Sequence, residues 1–335
     1  MNNEPLVTVL TPVYNGADFL AECIESVLHQ THRNFEYIIV NNCSTDRSLE
    51  IALDYAKKDS RIRVHNNDHF VGVIENHNLA FGLISSSAKY CKVVSADDYI
   101  FRDCLSRMVE FAEANPSVGI VGSYQLCGNA IKCQGCTYPK TVFTGREICR
   151  RFLLLRQVFV EGQPILGFGS PTSILYCADL IRDSGGHFYP NPSPHSDTSA
   201  CFAQLRTTFF GFVYQVLSYE RSHRETQTSR SVSMNRHASA FIDDLLNYGR
   251  SYLSDDEFTR LLKTRLNSYR RYLAIEYFIG FQNKEYWDYH KARLRELGYP
   301  LTAFTLFKTA LVAIAEEAVN PGQAIRKLWT RLGHA

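Results

Sequence analysis

The sequence predicts an α/β fold: a mostly parallel, Rossmann-like sheet flanked by helices, with a helical C-terminal extension. Three observations lead there. Apolar, β-branched runs alternate with helical periodicities from Leu6 to Ser123. Three of those runs end in polar clusters: Thr11-Pro12-Val13-Tyr14-Asn15-Gly16, Asn41-Asn42-Cys43-Ser44-Thr45-Asp46 and Ser95-Ala96-Asp97-Asp98. From about Ala238 onward, leucines and aromatics recur at helical spacing. Strands alternating with helices imply parallel pairing through right-handed crossovers. Polar clusters at the carboxyl ends of such strands describe a ligand crevice at the edge of the sheet.

The elements follow in order. Leu6 to Thr11 is apolar and β-branched, as a doubly buried strand requires. Asp18 stands where it can cap the next helix, whose Phe19, Leu20, Cys23, Ile24, Val27 and Leu28 share one face. Phe35 to Val40 is the second strand. A helix beginning at Ser44 or Thr45 carries Leu49, Leu53 and Ala56. Arg61 to His65 is a short third strand, Glu75 to Ile84 a helix, and Tyr90 to Val94 the fourth strand. A helix with Leu105, Met108, Val109 and Ala112 precedes a strand at Val118 to Ser123. The alternation then breaks. Gln125 to Thr141 reads as a loop or hairpin, Gly145 to Leu155 as a helix, Thr172 to Cys177 as a strand, and Ala178 to Asp183 as a helical turn stopped by Gly185-Gly186. Pro190, Pro192 and Pro194 lead irregularly to His195-Ser196-Asp197 and a helix, and Phe210 to Tyr219 is a further strand. The predicted boundaries are a main domain over 1–235, with halves at 1–125 and 126–235, and a helical region over 236–335.

Composition narrows the function class. Of 335 residues, 45% are hydrophobic and 21% charged, as in ordinary globular proteins, and the net charge of +2 draws the chain toward neither nucleic acid nor membrane. Met1 to Pro5 lacks the basic and apolar regions of a secretory signal, and no apolar run has the length of a membrane span. Ten cysteines are scattered, several within apolar runs, which suits reduced thiols in the cytoplasm. Cys127, Cys133 and Cys136 cluster in one stretch, but zinc wants a fourth ligand at comparable spacing, so free thiols are the simpler expectation. Asp97 and Asp98 offer hard oxygen ligands suited to Mg²⁺ or Mn²⁺ carrying phosphates.

The order Thr-Pro-Val-Tyr-Asn-Gly, Ser-Val-Leu-His-Gln-Thr (Ser26 to Thr31), Asn-Asn-Cys-Ser-Thr-Asp-Arg-Ser and Ala-Asp-Asp resembles the family 2 inverting glycosyltransferases of the GT-A fold. The resemblance is strong over roughly residues 5 to 125 and continues through Gly185-Gly186-His187-Phe188, Asp197 and Tyr219-Glu220-Arg221-Ser222-His223. It implies a nucleotide-sugar donor, a divalent metal and inversion at the anomeric carbon. Thr11, Pro12 and Tyr14 are then expected to line the nucleotide pocket, although Pro12 and Asn15-Gly16 are also ordinary turn residues. Asn41 and Asn42 replace the carboxylates usual in the second loop; an amide still accepts from the N–H of a base. Asp46 is expected to cap or orient that loop. Asn76 and Asn78 fall in a stretch that closes over the nucleotide in this family, and they also suit a helix start.

The metal motif departs from the family's Asp-x-Asp. Ser95 holds the first place, suited to a ribose or phosphate, and Asp97 keeps the metal position. Asp197 is the expected general base, with Asp179 and Asp183 as alternatives and a plain helix cap as the structural reading. His223 is the expected second metal ligand, or a solvent-exposed loop residue; Arg221 or Arg224 suits the diphosphate. The tail from Phe304 to Leu332 is basic and carries Trp329, so it suits either peripheral contact with an anionic membrane or packing on the domain. The expected function is metal-dependent sugar transfer to a glycan or lipid-linked glycan acceptor in cell-surface polysaccharide synthesis, in the cytoplasm or at the inner face of its membrane, with no nucleic acid involved. The alternatives are an inactive GT-A-like binding module and, with less support, a sugar nucleotidyltransferase, which would want a Gly-rich, Arg-containing loop after the first strand.

Overall fold

In the computed structural model, the described residues are 4–133, 135–136, 138–155, 167–190, 193, 195–221, 234–279, 282–302, 304 and 306–311. Ten strands of the described residues form one sheet; eight lie along one path, in the order β3 (Ile62–Asn66), β2 (Phe35–Asn41), β1 (Val7–Val13), β4 (Tyr90–Val93), β9 (Ile174–Cys177), β6 (Val118–Cys127), β10 (Phe209–Glu220), β5 (Tyr99–Ile100), and two more, β7 (Ala130–Lys132) and β8 (Val142–Thr144), pair with β6 and β10. Its first half is parallel: β1 (Val7–Val13) lies between β2 (Phe35–Asn41) and β4 (Tyr90–Val93), with β3 (Ile62–Asn66) outside β2. Of the seven β1 residues all but Pro12 are buried. That is why the strand reads as continuous apolar sequence rather than an alternation.

The second half, past the point where the alternation breaks, mixes parallel and antiparallel pairing within a mostly parallel sheet. Strand β9 (Ile174–Cys177) inserts antiparallel between β4 and β6 (Val118–Cys127). Strand β10 (Phe209–Glu220) pairs parallel to β6 and antiparallel to β5 (Tyr99–Ile100) and β8 (Val142–Thr144). A crossover helix between strands implies parallel pairing only when the chain returns from the same end of the sheet. Before β9 the chain passes instead through a helix and a 3₁₀ turn at Pro171–Ser173, entering from the opposite end. The predicted loop or hairpin after β6 is a hairpin: β7 (Ala130–Lys132) pairs back through a two-residue Gly128-Asn129 turn, with Gly128 at φ +58°.

Two cores lie on the two sheet faces. One is largely aliphatic and is covered by α1 (Ala17–Leu28), α2 (Ser48–Ala56) and α4 (Cys104–Ala114), through residues such as Val9, Ile24, Ile39, Leu105 and Val121. The other is aromatic. Phe152, Phe168, Phe188, Phe202, Phe210 and Phe212 meet there beneath α3 (Val73–Phe81), α5 (Gly145–Leu155), α6 (Ala178–Arg182) and α7 (Ser196–Gln204). Phe168 is its hub, with ring centroids 4.8 Å from Phe152, 5.1 Å from Phe202 and 5.7 Å from Phe210. The extension begins with α8 (Arg236–Tyr252), whose Leu245, Tyr248 and Tyr252 belong to the same aromatic core. Behind it, α9 (Asp255–Ile279) and α10 (Lys284–Glu296) build a third cluster with Tyr269, Leu273, Tyr286 and Leu294. Among the described residues no helix is long and apolar enough to cross a membrane.

Candidate active site

The crevice opens where β1 and β4 part. Leu10 O accepts from Val94 N at 2.9 Å on the β4 side, and Val13 O accepts from Asn42 N at 2.8 Å on the β2 side. By strand alternation the nitrogen of Pro12 faces the β4 side, beyond Val93, the last paired residue of β4. A residue without an N–H fits there at no cost to the ladder. Thr11 and Pro12 are therefore in the strand and not in the turn after it. Thr11 is buried, and its Oγ1 donates to Val94 O at 2.9 Å and contacts Tyr37 Oη at 2.8 Å, bracing the parting strands. Strand order also reverses at β1, with β2 on one side and β4 on the other, which is the switch point where open α/β sheets take ligands.

The first two loops are tied to each other. Asn15, left-handed at φ 49°, accepts from Thr45 N at 2.8 Å through Oδ1, and its own N–H donates to Ser44 Oγ at 3.0 Å. Gly16 N donates to Ser48 Oγ at 2.9 Å, and Ala17 N donates to Asp46 Oδ2 at 2.9 Å. The α1 N-terminus is thus capped from the neighbouring loop and not by Asp18, as the sequence suggested. Asp46 plays its expected orienting part. Burial acts to raise its carboxyl pKa, but hydrogen bonds from Ser48 and Ala17 outweigh it and hold the group below the ordinary carboxylate value. A side chain at Gly16 would meet Val13 at 2.9 Å and Ala96 at 3.4 Å, so glycine lets this turn approach the Asp97 loop.

Five asparagines form a hydrogen-bonded cluster beside these loops. Asn42 grips Val71, donating to its O at 2.8 Å and accepting from its N at 3.0 Å. Asn67, which sequence reasoning missed, donates to both Asn42 Oδ1 at 3.0 Å and Asn76 Oδ1 at 2.9 Å. Asn41 donates to Asn66 Oδ1 at 2.6 Å, while its own Oδ1 is buried without a hydrogen bond. Tyr14 and Phe70 stand 4.8 Å apart, edge to face, 49% and 58% exposed. Phe70 is held out by the Asn42–Val71 clamp one residue on, so nothing in its own sequence context marks it.

The carboxylates after β4 divide into two roles. Asp98 is buried: Oδ2 accepts from Thr172 Oγ1 at 2.7 Å and Oδ1 from Arg221 N at 3.0 Å. Burial, and then the charge of neighbouring Asp97, push its carboxyl up to about 7. Asp98 is a strut. Asp97 is partly exposed, and its main-chain O accepts from Arg221 Nε at 3.0 Å. The Arg221 guanidinium also pairs with Glu22 and lies over Phe19, 4.6 Å from the ring centroid. Thr172 Oγ1 further accepts from Ser95 N at 3.1 Å, and Thr172 is set by Lys92. That lysine is fully buried in β4 and donates to the carbonyls of Thr172 and of Ile174, the latter at 3.0 Å; burial pulls its pKa down. A lone lysine in an otherwise apolar strand was the visible signal for this arrangement.

Asp197 sits in the first turn of α7, partly exposed. Its charge contributes to holding the buried Tyr176 and Tyr189 phenols well above their ordinary pKa, after burial itself. Asn78 fixes Tyr189 to α3: its amide donates to Tyr189 O at 3.0 Å and accepts from Tyr189 N at 2.9 Å. Asp179 pairs with Arg182 on the surface. His223 and Arg224 lie outside the described residues, as does the tail after Leu311, so the second metal ligand has no described position. Cys127, Cys133 and Cys136 are free thiols, and among the described residues no group of three or more His, Cys, Asp or Glu is arranged around an ion.

Comparison with known proteins agrees with this layout. Residues 8–135 match the family described as Glycosyl transferase family 2. The glycosyltransferase EpsJ of Bacillus subtilis (strain 168) is 42% identical over 118 residues, 35% of this chain and 33% of that protein. Glycosyltransferase GlyG of Streptococcus pneumoniae serotype 4 is 27% identical over 177 residues, 53% of this chain and 56% of that protein. The chain thus spans a third to about half the length of these relatives. Among solved structures, S. aureus TarS 1-349 in complex with UDP-GlcNAc superposes with a TM-score of 0.59 at 17% identity, over 84% of this chain and 78% of that one. The mannosyltransferase PcManGT of Pyrobaculum calidifontis, in complex with GDP-Man and Mn²⁺, gives 0.59 at 17% identity over 100% and 82%. Those two likenesses show the fold, a GT-A arrangement, and the family 2 glycosyl transferase match lies on residues 8–135, which hold the loops after β1, β2 and β4.

Proposed function

We propose that this protein transfers a sugar, with inversion and with the help of Mg²⁺ or Mn²⁺, from a nucleotide-sugar donor to a glycan or lipid-linked glycan acceptor in polysaccharide synthesis. One observation carries the reading: at the β1/β4 switch point the loop after β1 is hydrogen-bonded to the loop after β2, and its Gly16 lies close to Ala96 in the loop that bears the partly exposed Asp97. In this reading the nucleotide lies along Thr11, Pro12 and Tyr14, its base stacking on Tyr14 and Phe70. The orphaned Asn41 Oδ1 accepts an N–H from the base, and Asn42, Asn76 and Asn78 hold the walls.

The donor set fits a divalent metal. Asp98 is committed to Thr172 and Arg221, which leaves Asp97 as the hard oxygen ligand, with His223 as the proposed second. A site of one carboxylate completed by substrate phosphates is normal for Mg²⁺ and Mn²⁺. Bound there, the ion supplies charge stabilisation to the departing diphosphate. Ser95 hydrogen-bonds the ribose or diphosphate. Asp197 accepts the acceptor hydroxyl proton as that oxygen attacks the anomeric carbon from the side opposite the leaving group. Exposed Phe304, Phe307 and Leu311 at the start of the tail support peripheral contact through 304–332 with the membrane that carries a lipid-linked acceptor.

A thermal-shift screen of nucleotide sugars, with and without Mn²⁺, tests the reading, because a ligand that binds the folded state raises Tm. UDP-GlcNAc and GDP-Man are the first probes. The expected result is a Mn²⁺-dependent shift that Asp97→Ala removes together with transfer, a loss of about 10³-fold or more for several kcal/mol of charge stabilisation. A shift and a transfer rate unchanged in Asp97→Ala reject the metal assignment.

A further inference from the structure

The helical extension reaches the candidate base through a buried hydrogen-bonded group that the reaction scheme above does not use. Asp244, on α8, is buried, and each of its oxygens takes one donor from α7. Its Oδ2 lies 3.1 Å from His195 Nδ1, and its Oδ1 accepts from Ser199 Oγ at 2.8 Å. The other ring nitrogen of His195, Nε2, lies 2.9 Å from His237 Nδ1, also on α8. His195 is the N-cap of α7, yet its side chain makes no capping bond; it is turned sideways to the extension. Next along α8, Asp243 is paired with Arg293 of α10, so the gripping helix is itself held from behind.

We propose that Asp244 is a positioning residue for transfer: by gripping His195 and Ser199 it sets the rotation of the first turn of α7 and so the aim of Asp197. Residues four apart share one helix face. Asp197, two residues past His195, lies roughly 200° around the axis at 3.6 residues per turn. The grip is therefore on one side of the turn and the carboxylate on the other, among Tyr176 and Tyr189. Apolar packing of Phe202 against Tyr248 and Tyr252 holds α7 near α8 but is not directional. Hydrogen bonds are directional, and two of them to one carboxylate fix a rotation that packing leaves soft. A misplacement of about 1 Å at a reacting group costs on the order of 10²-fold in rate. The inference rests on Asp197 as the base, and it makes the extension part of the catalytic apparatus instead of an appendage.

The test pairs amide hydrogen exchange, which needs no donor, with steady-state kinetics on UDP-GlcNAc or GDP-Man plus Mn²⁺. The variants are Asp244→Ala, Asp244→Asn, Ser199→Ala and Asp197→Asn in the full chain. For Asp244→Ala we expect exchange over residues 196–201 to speed about tenfold or more while β1 and β4 are unchanged. We expect kcat to fall on the order of 10–10²-fold with donor KM within about twofold, because aim is lost and donor contacts are not. Asp244→Asn keeps the size and an acceptor and restores part of both, and Ser199→Ala sits between; these two serve if Asp244→Ala does not fold. Wild-type exchange at 196–201 in all three overturns the grip. Faster exchange with unchanged kcat, while Asp197→Asn is slow, overturns the positioning claim and leaves the base reading standing. Wild-type kcat in Asp197→Asn overturns both.

Discussion

The two faces of the sheet are built on different terms. The aliphatic face draws on residues from Val7 to Leu217, but its helices α1, α2 and α4 all come from the first 114 residues. Its loops are joined by side chains to the main chain of their neighbours: Ser44, Asp46 and Ser48 to the turn after β1, Asn42 to the turn after β3. The aromatic face draws on residues from Leu10 to Phe258 and holds rings that touch across long stretches of chain, as Phe81 does Phe188 at 5.0 Å. The first arrangement makes a rigid cradle out of local sequence. The second makes a platform whose position depends on everything that packs on it, the extension included. In the proposed reading most donor contacts, those of Thr11, Pro12, Tyr14 and Asp97, fall beside the first, and the base, Asp197, stands on the second.

That division yields its largest expected effect at Asp197. Asp197→Asn is expected to lower turnover about 10²–10⁴-fold, the value of a positioned general base, with donor affinity unchanged by calorimetric titration. A parallel loss of donor affinity would erase the distinction between the two faces. Next comes Phe210→Ala. It removes a fully buried ring packed against Phe168 and is expected to cost about 3–5 kcal/mol in urea unfolding, because a cavity adds to the lost transfer energy. A cost below 1 kcal/mol would show the aromatic face to be loosely packed.

The extension gives a pH test. His290 is fully buried beside the Tyr269 hydroxyl, and burial, with the nearby Arg236 charge, pulls its imidazole down to about 4. An unfolded histidine titrates near 6.5. Between those values the unfolded chain takes up a proton that the folded chain refuses. Stability is then fully present above about 6.5 and falls as pH drops toward 4, by about 1–3 kcal/mol. Unfolding curves across that window should show the slope, and His290→Gln should flatten it; an equal slope in the variant would place the pH dependence elsewhere. The smallest effect is Ser48→Ala in the cradle. It leaves Gly16 N without its acceptor, and a loss of about 1–2 kcal/mol is expected, with weaker donor binding, by denaturation and titration together.

Much of the cradle formed by the loops after β1 and β2 was legible because its signals are local. An apolar run, a polar cluster and a helical period lie within a dozen residues of one another, and the resemblance to a family rests on those same loops. The boundary errors there are small: β1 extends through Val13, and α2 starts at Ser48. Asp46 was read correctly as a loop-orienting residue, since a carboxylate before a helix has few other uses. The antiparallel insertion of β9 was not legible. A four-residue strand carries no mark of its direction, which is decided by where the preceding chain re-enters the sheet.

By itself the sequence determined the fold class, the order of the elements, the three loops and the carboxylate pair, because each depends on periodicity or on residue types within a few positions. Only the tertiary structure decided which member of the pair is a strut. Asp98 and Asp97 are chemically alike in sequence, and burial against Thr172 and Arg221 separates them. Tertiary contacts likewise decided that Lys92 supports Thr172, that Asn67 links Asn42 to Asn76, and that Asp244 reaches His195 and Ser199 from 45 or more residues away. A hydrogen bond depends on distance and angle in space, and sequence separation contains neither.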